Sequence, residues 1–385
     1  MTKCICCHGT ALQPVITCRD VPVVANALAG DGAAARAAPT GDVELVVCET
    51  CGLVFNQAFE PAKMDYAPEY ENALHHSPSF QAFADGLVAD LVARHELAGK
   101  RVVEIGCGDG YMLSRLVAAG VGEGIGFDPS MAGRESPYAR EGMAIVPSYF
   151  DAGAIDGPFD AVICRHVLEH LSDPTALLTD LRAQIGDRPV TLYMEVPNAD
   201  WMLTSVSIWD VIYEHVSYWT QPAIETLLMR CGFTPTRIRA GYGDQFLMVE
   251  ATVGESVPDF VADGVDYALE IAQAFGAAAN RRMAEWRTRL EGHHGPAVLW
   301  GAGSKGITFA NTVGAREGGV VAMVDLNPRK HGRCVPGAGL PVVAPDRLTE
   351  IRPDLVLISN GHYQSEIRER LAGMGLTPEL WVITQ

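Results

Sequence analysis

The stretch EIGCGDG, residues 104–110, follows the apolar run Arg101–Ile105 and precedes a segment with helical spacing that begins at Tyr111. Glycines allow the backbone to turn sharply and to approach a ligand closely, and the first turn of a helix offers unpaired N–H groups. About 18 residues after the last glycine, the apolar run Gly124–Phe127 ends in Asp128. A carboxylate there can accept hydrogen bonds from both hydroxyls of a ribose. This order of elements predicts a parallel α/β domain that binds a nucleoside-containing ligand.

The spacing of the glycines distinguishes two classes of such ligand. The dinucleotide pattern Gly-x-Gly-x-x-Gly, counted from Gly106, requires a glycine where the chain has Tyr111. The observed Glu-x-Gly-x-Gly-x-Gly resembles motif I of class I S-adenosylmethionine (SAM)-dependent methyltransferases, and FDAVIC (159–164) leading into VLEHLSDP (167–174) is typical of the same superfamily. The SAM contacts that this resemblance implies are Glu104, Gly106, Gly108, Asp109, Gly110, Asp128, Arg165 and His166, with Tyr149 or Phe150 beside the adenine. The alternative is an ordinary α/β domain whose glycines serve only helix–strand packing.

Cysteines are concentrated near the N-terminus in two Cys-x-x-Cys pairs, each followed by a turn, namely Cys4 with Cys7 and Cys48 with Cys51. Each pair supplies half of a tetrahedral four-thiolate zinc site, and such a site leaves no open position for catalysis. We therefore expect a structural zinc, with the Ala- and Gly-rich segment 25–42 as a loop. Cys6 in place of Cys4 or Cys7, and Cys18 as a ligand, are alternatives. A redox-active Cys-x-x-Cys motif is a further alternative, although such a motif does not normally occur as two pairs.

Apolar runs that indicate buried parallel strands fall into two groups. The runs of the two groups are Arg101–Ile105, Gly124–Phe127, Ala161–Cys164 and Val190–Glu195, then Ala297–Trp300, Val320–Asp325, Leu355–Ser359 and Leu380–Ile383. A predicted helix over Phe260–Leu290 separates the groups, and the helical positions before the first group are Phe80, Phe83, Leu87, Leu91 and Val92. The predicted fold is α/β: a zinc module (1–60), a class I methyltransferase Rossmann-like domain with a helical lead-in (61–255), and a linking helix with a second, C-terminal Rossmann-like domain (256–385).

Composition limits the partners that the chain is expected to have. Its 385 residues carry a formal net charge of −18, which argues against a partner held mainly through a phosphate backbone, because such proteins usually present a basic face. No apolar run approaches the ~18 residues that cross a bilayer, and the N-terminal residues lack the apolar segment of a secretory signal. We therefore expect a small-molecule substrate, no nucleic acid, no membrane and a cytoplasmic location.

The chain resembles, nearly end to end, the three-domain sugar C-methyltransferases that act on nucleotide-linked keto-deoxysugars. Their N-terminal zinc module ends in Cys-x-x-Cys-Gly-Leu-Val, as Cys48–Val54 does here. Their C-terminal Rossmann-like domain has a Gly-Tyr-Gly-Ala-x-Ala-Lys-Gly stretch that residues 300–306 resemble, with Asn311 beyond it, and a counterpart of residues 325–332. The resemblance implies SAM and a structural zinc as cofactors, and a keto-sugar nucleotide or related keto compound as the acceptor.

The catalytic stretch of that family reads Tyr-His-Glu-His, then an aromatic or apolar residue, Ser and Tyr, and residues 212–218 read IYEHVSY here. The resemblance implies that His215 removes the proton beside the carbonyl, as a base whose pKa lies near the working pH. Around it we expect Glu214 to hold a substrate hydroxyl or ring nitrogen, Tyr218 to contact the acceptor, and His170 and Tyr213 to donate to the developing enolate oxygen. The alternative for His215 is a satisfied histidine at a turn.

The chain departs from that family at positions expected to touch the sugar. Ile212 and Tyr213 replace Tyr and His, and residues 242–247 do not keep the family's Thr-His-Gly-Gly-Ser-Leu-Arg stretch. His170, in contrast, matches the histidine of the family's Asn-Val-Leu-Ala-His run. These changes keep open an O- or N-methyltransferase that acts on a small natural-product intermediate. Weaker candidates lie in the helical lead-in: Tyr66 and Tyr70 as acceptor contacts, and His75 and His76, which we expect to be exposed.

The C-terminal glycine loop, Gly301-x-Gly303-x-x-Gly306, meets the dinucleotide pattern, and Asp325 ends the next predicted strand. One interpretation is therefore an NAD-dependent oxidoreductase. The interpretation that we prefer places Lys305, at a helix N-terminus, against a phosphate or another anionic group of the substrate. A turn that only holds the fold, with a solvated lysine, is the alternative.

Overall fold

The structure is a computed structural model that describes residues 2–64 and 73–384, so Tyr66 and Tyr70 lie outside the described residues. Its strands are, in chain order, β1 (Leu12–Pro22), β2 (Thr40–Cys48), β3 (Val54–Asn56), β4 (Arg101–Ile105), β5 (Glu123–Phe127), β6 (Met143–Val146), β7 (Ala161–Arg165), β8 (Thr191–Pro197), β9 (Ser217–Tyr218), β10 (Phe233–Gly241), β11 (Phe246–Val253), β12 (Ala297–Trp300), β13 (Val320–Val324), β14 (Val342–Val343), β15 (Leu355–Ile358) and β16 (Glu379–Val382).

The α-helices of the described residues lie between these strands. They are α1 (Gly32–Arg36), α2 (Pro78–Arg94), α3 (Tyr111–Ala118), α4 (Pro174–Ile185), α5 (Ala199–Thr204), α6 (Gln221–Arg230), α7 (Val265–Glu291), α8 (Ser304–Val313), α9 (Leu348–Ile351) and α10 (Gln364–Gly373). None of the helices in the described ranges is both long and apolar enough to cross a membrane.

The central sheet has the strand order β10-β11-β8-β7-β4-β5-β6. The strands from β8 to β6 are parallel, whereas β11 is antiparallel to β8 and β10 is antiparallel to β11. The chain moves outward from β4 to β6 and then returns to β7, so the strand order reverses between β4 and β7. Ligands of such sheets bind in the crevice at that reversal, outside the carboxyl ends of the strands. This topology confirms the predicted class I methyltransferase Rossmann-like fold.

Buried β-branched side chains explain why β4 and its neighbours form the middle of this sheet. Val102 and Val103 of β4 and Val162 of β7 have no solvent-exposed surface, as expected for parallel strands that are covered by helices on both faces. One covering helix, α3, buries Leu113 and Leu116 against the sheet. The sheet core therefore fixes the positions at which β4 and β7 end.

The N-terminal residues form an antiparallel sheet in the order β1-β2-β3-β9. Its last strand comes from a distant part of the chain, because Val54 pairs with Tyr218 and Phe55 pairs with Ser217. The segment predicted as the loop 25–42 contains α1, which Asp31 caps by accepting from two backbone N–H groups, and the start of β2. The N-terminal residues thus hold the predicted catalytic stretch in place by strand pairing.

The C-terminal residues form a parallel sheet in the order β14-β13-β12-β15-β16, whose strand order reverses between β12 and β15. This is a second Rossmann-like arrangement, as the sequence predicts. The linking helix α7 begins at Val265, five residues after the predicted start, because Gly264 has a left-handed φ of 87° and ends the preceding turn. Its buried face includes Phe275 and Trp286, which join the core shared with the N-terminal sheet.

Candidate functional site

The glycine loop after β4, residues 106–110, is named the donor loop here, and its backbone shape requires glycine. Gly106 has a φ of 71°, and a Cβ on it would lie 2.2 Å from the side chain of Val167. The N–H of Gly108 donates to one carboxylate oxygen of Asp128 at 2.8 Å, and the other oxygen accepts from the N–H and the hydroxyl of Ser130. The acid predicted beside the donor loop is therefore bonded to that loop.

Glu104 lies directly beneath the donor loop and is 2% exposed. Burial raises the pKa of its carboxyl to about 8, against the opposing charge of Arg165. Within the described residues, its Oε2 atom has no hydrogen-bond partner. A buried acid with an unsatisfied oxygen fits a cationic ligand, and SAM carries both an ammonium and a sulfonium group. The residues present therefore fit SAM in this crevice.

Arg165 ends β7 on the other side of the same crevice, and His166 follows it. Both contact Glu195, which the sequence interpretation missed. Arg165 donates to Glu195 Oε1 from Nε at 3.0 Å and from Nη2 at 2.7 Å, and His166 Nε2 lies 3.1 Å from that oxygen. Burial alone would raise the pKa of Glu195, but Arg165 and His166 outweigh burial and lower it to about 2. Glu195 therefore stays ionised and orients both predicted donor contacts.

His75 lies beside the donor loop, which corrects the expectation that it is exposed. It is 8% exposed, its ring stacks on Tyr111 with 4.3 Å between centroids, and its Nε2 lies 3.6 Å from Asp109 Oδ2. Tyr138 packs edge-on against the same ring. His76 is partly exposed, so the helical lead-in closes one side of the predicted donor site through His75.

The two aromatic residues expected beside the adenine differ in their surroundings. Tyr149 is 71% exposed. Phe150 is half-buried and packs edge-on against Phe127, with 5.4 Å between ring centroids. Phe127 precedes Asp128 at the end of β5, so Phe150 packs against the strand that carries the acid expected to hold the ribose.

A small cleft lies where β8 ends, between the central sheet and the start of α8, and is named the acceptor cleft here. It is lined by Pro197, Asn198, Ala199, Trp201, Met202, Asp210, His215, Tyr218, Gln245 and Lys305. Three residues that the sequence singled out for the substrate, His215, Tyr218 and Lys305, therefore meet in one cleft although they come from three segments of the chain.

His215 lies at the wall of the acceptor cleft and is otherwise enclosed by protein. Its ring is 5.1 Å from that of His170 and 5.8 Å from that of Tyr218, and its Nδ1 atom has no hydrogen-bond partner within residues 2–64 and 73–384. Burial, with the nearby charge of His170, lowers its pKa to about 3. The expectation of a pKa near the working pH is therefore corrected, and the imidazole is neutral at pH 7.

Glu214 and Tyr213, the two residues before His215, contact the N-terminal segment. Glu214 Oε1 accepts from the backbone N–H groups of Ala25 and Asn26, and the hydroxyl of Tyr213 accepts from the N–H of Glu60 at 2.9 Å. Both side chains are buried, and neither is among the residues that line the acceptor cleft. The structure therefore does not bring them to His215 as the sequence interpretation expects.

Lys305 lies in the first turn of α8 and forms an ion pair with Asp210. Its ammonium lies 4.9 Å from the centre of the Trp201 ring. Tyr218 also lines the cleft, and its hydroxyl bonds to the backbone of Ile212. Because Asp210 compensates its charge, Lys305 offers this cleft a neutral ion pair and not an isolated cation.

The glycine loop of the C-terminal sheet also requires glycine. A Cβ on Gly301 would lie 2.1 Å from Ser359 Oγ, and one on Gly306 would lie 2.0 Å from the carbonyl of Gly301. Asp325 accepts from the N–H groups of Ala302 and Asn327, at 2.9 and 2.8 Å. Asp325, the acid that a dinucleotide site would use to bind a ribose, is thus bonded to backbone N–H groups of the glycine loop and of its own turn.

The cysteines predicted as metal ligands meet in one buried cluster, formed by Cys4, Cys7, Cys48 and Cys51. The Sγ atoms of Cys4 and Cys51 are 3.6 Å apart, and those of Cys7 and Cys48 are 3.5 Å apart. Tetrahedral zinc with Zn–S bonds of about 2.3 Å places its sulfurs about 3.8 Å apart. The cluster, named the four-cysteine cluster here, therefore fits zinc, whereas Cys6 bonds toward Ala223 and Cys18 lies outside it.

Comparisons with known proteins match two parts of the chain. Residues 80–238 match the family described as a methyltransferase domain, and residues 267–383 match the C-methyltransferase C-terminal domain. Together the two matches support a C-methyltransferase family.

Curated relatives match only a part of the chain. The tRNA U34 carboxymethyltransferase of Campylobacter jejuni (strain 81-176) is 32% identical over 111 residues, which are 26% of this chain and 38% of that protein. The ubiquinone biosynthesis O-methyltransferase of Methylococcus capsulatus is 33% identical over 92 residues, 22% of this chain and 39% of that protein. The chain thus spans about two-fifths of the length of these relatives.

A solved structure that resembles the chain is the magnesium protoporphyrin IX methyltransferase of Synechocystis PCC 6803 with bound S-adenosylhomocysteine (SAH). It is 24% identical, with a TM-score of 0.37, and the match covers 46% of this chain and 84% of that one.

Proposed function

From the premise that the chain is a SAM-dependent methyltransferase enzyme, we propose that it methylates a carbon beside the carbonyl of a keto-sugar nucleotide or a related keto compound. One observation carries the proposal: a neutral histidine, an ion pair and an aromatic face line one cleft next to the strand ends of the methyltransferase sheet. The match of residues 267–383 to the C-methyltransferase C-terminal domain supports carbon as the methylated atom.

The donor half of the proposed site is the crevice between the ends of β4 and β7. SAM supplies a methyl group on a positively charged sulfur. In this proposal, Glu104 pairs with a cationic group of the donor. Asp128 binds the ribose through the oxygen lone pairs that its bonds to Gly108 and Ser130 leave. Arg165 and His166, oriented by Glu195, form the opposite wall.

The acceptor half is suited to an uncharged, hydroxyl-rich ring. Trp201 offers an aromatic face, which packs well against the apolar face of a sugar ring. Asp210 and Lys305 together present an acceptor and donors for hydroxyl groups. The amide side chains of Asn198 and Gln245 also line the cleft, although both make bonds to neighbouring groups.

The proposed reaction needs a base and a group that stabilises an enolate. His215 accepts the proton from the carbon beside the carbonyl, and the pair of electrons left on that carbon attacks the donor methyl as the bond from carbon to sulfur breaks. An N–H of Lys305, which stays paired with Asp210, donates to the carbonyl oxygen as negative charge develops on it. SAH then leaves, and His215 returns its proton to water.

The proposal includes a structural zinc in the four-cysteine cluster. Its ligands connect the turn at Cys4 and Cys7 to the end of β2, and β3 then pairs with β9, two residues beyond His215. The metal therefore supports the acceptor cleft from a distance, through the N-terminal sheet, and takes no part in the reaction.

The experiment is turnover with SAM carrying a ¹³C-methyl group, against a panel of keto-sugar nucleotides and simpler keto compounds. We expect one product whose ¹³C-methyl resonance is coupled to a ring carbon. Without SAM turnover, in D₂O with SAH bound, the α-proton of that acceptor exchanges in the wild-type protein and not in His215→Gln. A product methylated on oxygen or nitrogen would replace this proposal with the O- or N-methyltransferase alternative.

A further inference from the structure

Glu169 is a buried acid beside the proposed base. It lies in the short turn after β7 and is 1% exposed. A carboxylate oxygen of Glu169 and a ring nitrogen of His215 lie within 4.8 Å of each other. The function proposed above uses His215 as its base and assigns nothing to this neighbouring carboxylate.

Two hydrogen bonds join the turn of Glu169 to the segment that carries His215. The N–H of Val216 donates to the backbone carbonyl of Glu169 at 2.8 Å. His170 Nδ1 lies 3.0 Å from the backbone carbonyl of Glu214. The two bonds flank His215 along the chain, so the fold itself holds His215 next to Glu169.

Burial decides which nitrogen of His215 faces the acceptor. His215 lines the acceptor cleft, but its Nδ1 is enclosed by protein. The lone pair that takes the proton from the acceptor therefore belongs to Nε2. A neutral imidazole carries its hydrogen on the other nitrogen, so Nδ1 of His215 is a donor that requires an acceptor.

The acceptor that Nδ1 requires is present in Glu169. Among the residues that the structure describes, neither His215 Nδ1 nor Glu169 Oε2 has a hydrogen-bond partner, and both atoms are buried. Buried polar atoms of native proteins are normally paired, and an ionised carboxylate only accepts. A hydrogen bond from Nδ1–H of His215 to Glu169 Oε2 satisfies both atoms at once.

The other oxygen of Glu169 faces His166, which keeps the carboxyl ionised. His166 Nδ1 lies 3.4 Å from Glu169 Oε1, and its Nε2 lies 3.1 Å from Glu195 Oε1. Burial alone would lower the pKa of His166, but the two carboxylates outweigh burial and raise it to about 9. Burial would raise the pKa of Glu169, but the hydrogen bond to His166 and nearby positive charge hold it below its usual value.

Glu169 is also the anion that His215 needs once it has taken a proton. Burial and the positive charges of His170, His166 and Lys305 lower the pKa of His215, whereas the carboxylate of Glu169 raises it. An imidazolium buried among cations without a countercharge is costly. The countercharge is available in Glu169.

We propose that Glu169 is a positioning residue for His215: its carboxylate accepts a hydrogen bond from Nδ1–H and balances the charge of the imidazolium that forms when Nε2 takes the α-proton. Glu169 has this role in the reaction proposed above, on which the inference rests. Hydrogen bonds of catalytic groups are often long in the free enzyme and shorten in the reacting complex. Glu169 and His215 therefore draw together as the ring becomes charged.

The first test is ¹⁵N NMR of the full, zinc-loaded chain with ¹⁵N-labelled histidines and bound SAH, without an acceptor. The signals of His215 are those that disappear in His215→Gln. At pH 7 we expect its Nδ1 to carry the hydrogen and its Nε2 to be unprotonated. A hydrogen on Nε2 in the wild-type protein would overturn the proposal, because the lone pair would then lie on the buried nitrogen.

The second test is Glu169→Gln. The protonated His166 donates from both ring nitrogens, so it takes the amide oxygen of the glutamine and leaves the amide NH₂ for His215. That NH₂ only donates, so we expect the hydrogen of His215 to move to Nε2. Turnover should fall about 10–100-fold at an unchanged KM for SAM, as expected for the loss of a hydrogen bond to a charged group.

The matched control is Glu250→Gln, which also removes a buried carboxylate. Glu250 is 4% exposed and pairs with His95 and Arg237, and it lies on β11 opposite Tyr193, four residues before the end of β8. This variant should keep both the wild-type tautomer of His215 and the wild-type turnover.

Unchanged turnover or an unchanged tautomer in folded Glu169→Gln would remove Glu169 from the reaction. A carbon-methylated product, formed by a protein whose His215 carries its hydrogen on Nε2, would overturn the role of Glu169 and leave the proposed methyl transfer standing. Where Glu169→Gln fails to fold, the tautomer of the wild-type protein still decides.

Discussion

Glu104 should release a proton when the donor site binds its ligand, and Glu104→Gln should abolish that release. Burial gives this carboxyl a pKa of about 8, so about nine-tenths of it is protonated at pH 7 in the free protein. The ammonium group of SAH favours the ionised carboxylate and lowers that pKa. Binding at pH 7 should therefore release roughly 0.9 proton from Glu104.

The same shift sets how affinity depends on pH. Each unit below pH 8 adds about 1.4 kcal/mol to the cost of ionising Glu104, so affinity for SAH should rise about tenfold from pH 6 to pH 7 and level off above pH 8. Glu104→Gln cannot ionise and should lose this dependence. The ligand's own amino group titrates equally in both proteins, so the difference between them isolates Glu104.

The assay is calorimetry of SAH binding in buffers with different ionisation enthalpies, between pH 6 and pH 9. Glu123→Gln is the matched control, because Glu123 lies at the far, exposed end of β5. The reasoning would be refuted if wild type and Glu104→Gln released the same number of protons. It would also be refuted if their affinity ratio stayed constant across this pH range.

Further predictions concern the metal and the acceptor cleft. Cys48→Ser should lose the zinc, measured by metal analysis, and should unfold at a lower temperature because metal binding is coupled to folding. The control, Cys18→Ser, should keep one zinc per chain. A wild-type protein that is equally stable without zinc would contradict the zinc site. His215→Gln should lower turnover by about 10²–10⁴-fold at unchanged SAH affinity, whereas normal turnover would remove it as the base. Tyr213→Phe should retain turnover, and its free energy of unfolding in urea should fall by about 1 kcal/mol. A folded Tyr213→Phe variant without turnover would show that the Tyr213 hydroxyl takes part in the reaction. Lys305→Gln should slow α-proton exchange of the acceptor, and unchanged exchange would exclude it as the enolate partner.

The sequence predicts those elements of the fold whose structure is determined by residues close together in the chain. The strand Arg101–Ile105 and the donor loop were found because an apolar run, glycines and an acid follow one another within a short stretch. The two antiparallel strands β10 and β11 were not found. The pairing of β11 with β8 joins residues about 50–60 positions apart, and no short-range pattern indicates it.

Most differences between the predicted site and the site in the structure come from the direction in which side chains point. Tyr213, Glu214 and His215 are consecutive, yet the first two contact the N-terminal segment and only His215 reaches the acceptor cleft. His75 is buried because it stacks on Tyr111, a contact across 36 positions that helical spacing does not reveal. Glu195 could have been found, since a charged residue inside the apolar run of β8 requires a buried partner.

The most direct test of the account is calorimetric titration of the full, zinc-loaded chain with SAH, with NAD⁺ titrated in parallel. The account predicts one SAH per chain, loss of that binding in Asp128→Ala, and no heat with NAD⁺. A folded protein that binds no SAH, or that binds NAD⁺ in its place, would contradict the claim that the crevice between β4 and β7 holds a methyl donor.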